Sequence, residues 1–70
     1  MPDMHPVTST LIKAVGYNLD REEMTVQFHS GDTYVYRDLS LPVYEALVEA
    51  KSAGAFFMRN VRGQYETVKK

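Results

Sequence analysis

Tyr34 and Tyr36 flank Val35 in the stretch "HSGDTYVYRD", and Arg37 follows them directly. Lys51, Arg59 and Arg62 add three cations further along the chain. These side chains suit nucleic-acid chemistry. A tyrosine face can stack on a base, worth about 1–3 kcal/mol per base, and an arginine can hold phosphate oxygens. Arg59 and Arg62 are three apart in the sequence, so on a helix they share one side. A second set, Val35, Tyr44, Phe57 and Met58, is apolar or aromatic beyond what so small a core needs, and would suit docking on a protein partner. The plainer alternative covers both sets: tyrosines fill a core and arginines solvate a helix.

Other chemistries fit less well. His5 sits in a Pro-containing N-terminal stretch and His29 at a turn, and no serine or threonine has an evident base with an orienting carboxylate. His29 with Asp32 supplies two ligands in a tight turn, which is not a metal site. There is no cysteine and no Gly-rich phosphate loop. "DREE" reads as a solvated turn. The short helices around "SAG" invite a helix-turn-helix reading, but Asn60 stands where that motif wants an apolar residue. The expectation is a non-enzymatic chain with no cofactor and no metal.

The elements that must position these residues follow from hydrophobic period. "TLIKAVGYNL" reads as a strand over roughly 10–18, and "MTVQFH" alternates with Met24, Val26 and Phe28 on one side. "TYVYRD" is a third strand. Ser40 can cap a helix with Pro42 in its first turn, and Val43, Leu47 and Ala50 share its inner face with Ala46 beside them. Ser52 can cap a second helix that turns Phe56, Phe57, Val61 and Tyr65 inward, with Gly63 ending it. The fold class is α+β: a three-stranded antiparallel meander, then two short helices on one face, βββαα. Residues 1–8 are expected to be a frayed segment, 9–66 one domain, and 67–70 a loose tail.

Loop length in the hairpin at "HSGD" decides where the tyrosines point. With a two-residue loop, Val26 pairs with Val35, and the tyrosines form an exposed platform on the face away from Phe28. With a three-residue loop and Gly31 left-handed, Val26 pairs with Tyr34 and Met24 with Tyr36, so the tyrosines join the core face and Val35 is exposed. A slip of one residue exchanges the faces. Gly31 as the last loop residue favours the bulged hairpin, and a half-buried tyrosine can still present its hydroxyl at the sheet edge.

With 70 residues, the chain buries about 60% of its unfolded surface, so stability is modest unless the core packs well. Hydrophobic residues at 44% and charged residues at 24% are ordinary for a globular chain. The formal net charge of −1 opposes strong non-specific nucleic-acid binding. The charge is unevenly placed. Residues 1–50 carry three basic and eight acidic side chains, and residues 51–70 carry five basic and one acidic. No apolar run approaches the roughly 20 residues that span a bilayer, and no signal peptide is evident, which leads to a cytoplasmic expectation. An edge at 10–18 or 32–37 would allow pairing with a second copy or a partner.

Read in order, several short motifs resemble one family. They are Ser9-Thr10, "GYN" at Gly16–Asn18, Phe28 before Gly31, "YVY" at Tyr34–Tyr36, Val43-Tyr44, "AKSAG" at Ala50–Gly54, "FF" at Phe56-Phe57 and the close Val61-Arg62 with Tyr65. Together, over residues 9–65, they resemble the KTSC domain, found at the C-terminus of some lysyl-tRNA synthetases and as a stand-alone bacterial or phage protein. Two positions depart from the pattern. Leu39-Ser40 stand where Val-Pro is usual, and Met58 stands where an asparagine often follows the paired aromatics. The resemblance implies a small accessory module with weak RNA binding. The competing expectation is a protein-binding adaptor, or a phage or mobile-element inhibitor that docks on a host protein complex.

Overall fold

The computed structural model describes residues 3–70. Seven elements follow in chain order: β1 (His5–Pro6), β2 (Ile12–Asn18), β3 (Glu23–Phe28), β4 (Thr33–Arg37), α1 (Leu41–Glu49), α2 (Ala53–Asn60) and β5 (Glu66–Lys69). The strands form one antiparallel sheet in the order β1-β2-β3-β4-β5. Both helices contribute to a single core on one sheet face, joining Leu47, Ala53 and Phe57 to Val15, Met24, Val26 and Tyr36. The α+β class and the two helices agree with the sequence reading.

The strand count does not. Two further strands lie where a frayed start and a loose tail were expected. His5 pairs with Val15 and Pro6 with Ala14, while residues 66–69 pair with β4 from Arg37 back to Tyr34. Residues 1 and 2 of the expected frayed segment lie outside the described residues. These strands are hard to read because they are two and four residues long and wholly exposed, so neither carries an apolar alternation. They also change the expected edges: β5 pairs along β4 from Tyr34 to Arg37, whereas β1 pairs with β2 only at Ala14 and Val15.

The β3–β4 hairpin is the bulged one. Val26 pairs with Tyr34 and Met24 with Tyr36. Phe28 N–H donates to the Asp32 carbonyl at 2.9 Å, which leaves residues 29–31 as the loop. Gly31 takes φ +101° there, a region in which a side chain would be strained. Met24, Val26, Phe28, Tyr34 and Tyr36 therefore face the helices. Val35 was expected to be exposed in this register and is not: it is only 6% exposed. It lies on the sheet face away from the helices, flanked by Thr25 of β3 and by Val68 of the unexpected fifth strand.

Local devices complete the frame. A bulge between Ile12 and Ala14 lets Ile12 and Val15 both face the core despite their odd spacing. Ser52 Oγ accepts the Ala55 N–H at 3.1 Å and caps α2. Ser40 holds the equivalent place before α1, but its side chain makes no capping bond. Its carbonyl accepts from Val43 and Tyr44 instead, and Pro42 fills the first turn. Ala46 is exposed, so the inner face of α1 is narrower than its apolar spacing implied. Among the described residues no helix is long and apolar enough to cross a membrane.

Candidate functional site

The bulged register brings Tyr34 and Tyr36 under α2, and Gly63, at φ +76°, turns the chain just after that helix. Between the hairpin and the C-terminal end of α2 runs a groove of about 570 Å³. Phe28, Tyr34 and Tyr36 line it from the sheet, and Phe57, Met58 and Arg62 from the helix side. Its rings are locked to one another edge-to-face. Phe28 meets Tyr34 at 5.7 Å and Phe57 at 5.5 Å between centroids, and Tyr36 meets Phe57 at 5.4 Å. Tyr36 is 5% exposed, so its face is not free to stack on a base. What it can offer the groove is its hydroxyl.

That hydroxyl donates to no described residue and yet is not sealed in, since among the described residues no fully buried side-chain oxygen or nitrogen lacks a partner. Tyr17 differs, because its hydroxyl is spent on the Leu39 carbonyl at 2.7 Å. Burial first, then the neighbouring Tyr34 phenol, push the Tyr36 phenol up to about 12, while the Arg62 guanidinium pulls the other way. Two phenols and one guanidinium thus line the groove together, along with the polar side chains of Thr10, His29, Ser30, Asp32 and Thr67. Arg62 rests its Nη1 3.7 Å from Met58 Sδ and has no acidic partner among the described residues.

The shifted phenol has a consequence for stability. Between about pH 10 and 12 the folded chain still holds the Tyr36 proton while the unfolded chain has lost it. Stability is therefore intact below about pH 10 and falls as pH rises through about 12. Urea unfolding of the wild type and of Tyr36→Phe across that range is expected to differ in slope, with the variant losing less.

The other cations named from the sequence do not join this group. Arg37 points to the open face of the sheet, where its Nε lies 3.2 Å from Glu23 Oε2 and its Nη1 3.2 Å from Glu66 Oε1. Lys51 lines a separate depression that meets the groove at Thr10, Leu11 and Met58. Arg59 is exposed in the last turn of α2 and does not line the groove. Of the apolar set, Phe57 and Met58 line the groove, and Met58 is 46% exposed. Tyr44 is elsewhere, stacked on Tyr17 at 5.2 Å, and Val35 is buried on the opposite face. Leu11 and Thr67 also line the groove and were missed. Thr67 stands opposite Tyr36 in β5, and only recognition of that strand would have placed it there.

The KTSC domain model matches residues 8–65. The chain belongs to the KTSC domain family. A protein of Tsukamurella paurometabola is 32% identical over 65 residues, covering 93% of this chain and 97% of that one. A lysine–tRNA ligase of Nostoc sp. is 35% identical over 57 residues, covering 81% of this chain. The KTSC chain spans only 10% of that ligase's length. The crystal structure of a KTSC domain protein from Yersinia pestis superposes with a TM-score of 0.96 at 27% identity, covering 100% of this chain and 99% of the other. The groove and its hairpin thus belong to a fold that this second KTSC chain shares from end to end.

Proposed function

We propose that this KTSC domain is a small non-enzymatic module that binds single-stranded RNA in the groove between the β3–β4 hairpin and α2. The observation that carries the reading is Arg62, which has no acidic partner among the described residues and lies beside two phenols with unspent hydroxyls on an apolar floor. An arginine and two hydroxyls can hold phosphate oxygens, and exposed Leu11 and Met58 offer an apolar wall for a base. Similarity to part of a lysine–tRNA ligase, whose named substrate is an RNA, favours nucleic acid over other anions. The net charge of −1 keeps the binding weak.

The test is an amide NMR titration with a short single-stranded RNA at low and at physiological salt. Shifts are expected at Tyr34–Tyr36 and Met58–Gly63, shrinking as salt rises, and not at Arg37 or Tyr44. A silent groove at low salt would sink the reading. The second reading is docking on a protein, as an adaptor or as an inhibitor of a host complex. The exposed side chains of Leu11 and Met58 at the groove wall favour it.

A further inference from the structure

A count of usable cations narrows what the groove can hold. A strand that tracks across a protein needs roughly one cation for each phosphate it contacts. Arg37 is on the opposite sheet face between two carboxylates. Lys69 does not line the groove, and its Nζ lies 3.7 Å from Oδ1 of Asp32, which does. Lys51 lies beyond the wall made by Leu11 and Met58. Among the described residues that leaves Arg62 as the one lysine or arginine that lines the groove, and the Asp32 carboxylate that also lines it is paired with Lys69.

We propose that the groove is a phosphomonoester site: the terminal phosphate of one nucleotide seats on the Arg62 guanidinium and the Tyr34 and Tyr36 hydroxyls, with its base against Leu11 and Met58. The proposal rests on the nucleic-acid reading above and deepens it. A terminal phosphate carries about −1.5 to −2 charge at neutral pH, where an internal diester carries about −1, so a lone guanidinium gains most from the terminal group. The guanidinium fork can meet two of its oxygens, and each phenol can donate to another. Burial keeps the Tyr36 phenol protonated far above neutral pH, so it serves as a donor. The edge-to-face clamp on Tyr36 fixes where its hydroxyl points before any ligand arrives.

The same chemistry could come from a 5′ end, a 3′ end or a free nucleotide. The experiment is isothermal titration of the full chain with a short RNA bearing a 5′-phosphate, a 3′-phosphate or hydroxyls at both ends, and with AMP. At least one phosphorylated probe is expected to bind about tenfold or more tighter than the hydroxyl-ended RNA, and which one does so names the source. Arg62→Gln and the double variant Tyr34→Phe/Tyr36→Phe should each erase that difference, while Lys51→Gln leaves it. The salt dependence should have a slope of only about −0.7 to −1.4, as for one doubly charged phosphate. Equal binding of all RNA ends, with a steeper slope and weakening by Lys51→Gln, would overturn the monoester site and leave strand binding in place. Binding of no probe would overturn both. The tyrosine variants keep their rings, and their folding is checked by thermal melting alongside.

Discussion

Phe57→Ala is expected to cost about 3–5 kcal/mol of folding stability, as for other buried aromatic truncations. A chain of 70 residues has only about 4–10 kcal/mol in total. The loss therefore removes roughly a third of it or more. The ring is 3% exposed and joins α2 to two of the inner strands, touching Phe28 of β3 and Tyr36 of β4. Removing it leaves a void whose walls are held by the sheet ladder and cannot collapse far. Urea unfolding followed by far-UV circular dichroism reads the change as a lower midpoint with little change in slope. A shift worth less than about 1 kcal/mol would mean that the helix is not anchored by this ring, and the groove floor would then be far softer than the edge-to-face geometry implies. Phe57→Leu keeps most of the apolar volume and should lose markedly less, which separates the cavity from the aromatic contacts.

Phe57 also marks how far the sequence reaches. Its inward direction follows from the spacing of Phe56, Phe57 and Val61 after the Ser52 cap, and the structure places it there. The hairpin was legible for a similar reason. Gly31 can take a left-handed conformation that sets the three-residue loop, and loop length alone assigns Tyr34 and Tyr36 to the core face. The partners of Arg37 were not legible, because they come from Glu23 and from Glu66 in β5. Four exposed residues with no apolar alternation give no strand signal. Their pairing comes from the free edge of β4, which is a property of the assembled sheet. The same blind spot hid the burial of Val35 and the place of Thr67 in the groove. Arg59 and Arg62 looked equivalent at their spacing, yet Arg62 lies past the last helical residue, Asn60, and only Arg62 lines the groove.

Leu39→Ala is expected to destabilise by about 2–5 kcal/mol, and it tests a core residue that no periodic pattern announces. Leu39 stands between β4 and α1, where the strand alternation has stopped and the helix has not begun. Asp38 just before it takes φ +57°, a left-handed turn that few non-glycine residues adopt. That turn swings Leu39 beneath the helices, where it is fully buried. Both of its backbone groups are spent on the β2–β3 end of the sheet: its N–H donates to the Glu22 carbonyl at 2.9 Å, and its carbonyl accepts the Tyr17 hydroxyl at 2.7 Å. The side chain and the backbone thus pin the same junction by different means. Tyr17→Phe removes only the hydroxyl bond and should cost about 0.5–1.5 kcal/mol. The two variants share a junction, so the double variant should depart from additivity by more than about 0.5 kcal/mol. Additive losses would mean that the Leu39 side chain and the Tyr17 bond hold the helix start independently. A Leu39→Ala loss below about 1 kcal/mol would place Leu39 outside the cooperative core, and the left-handed Asp38 turn would then have no packing gain to offset its strain.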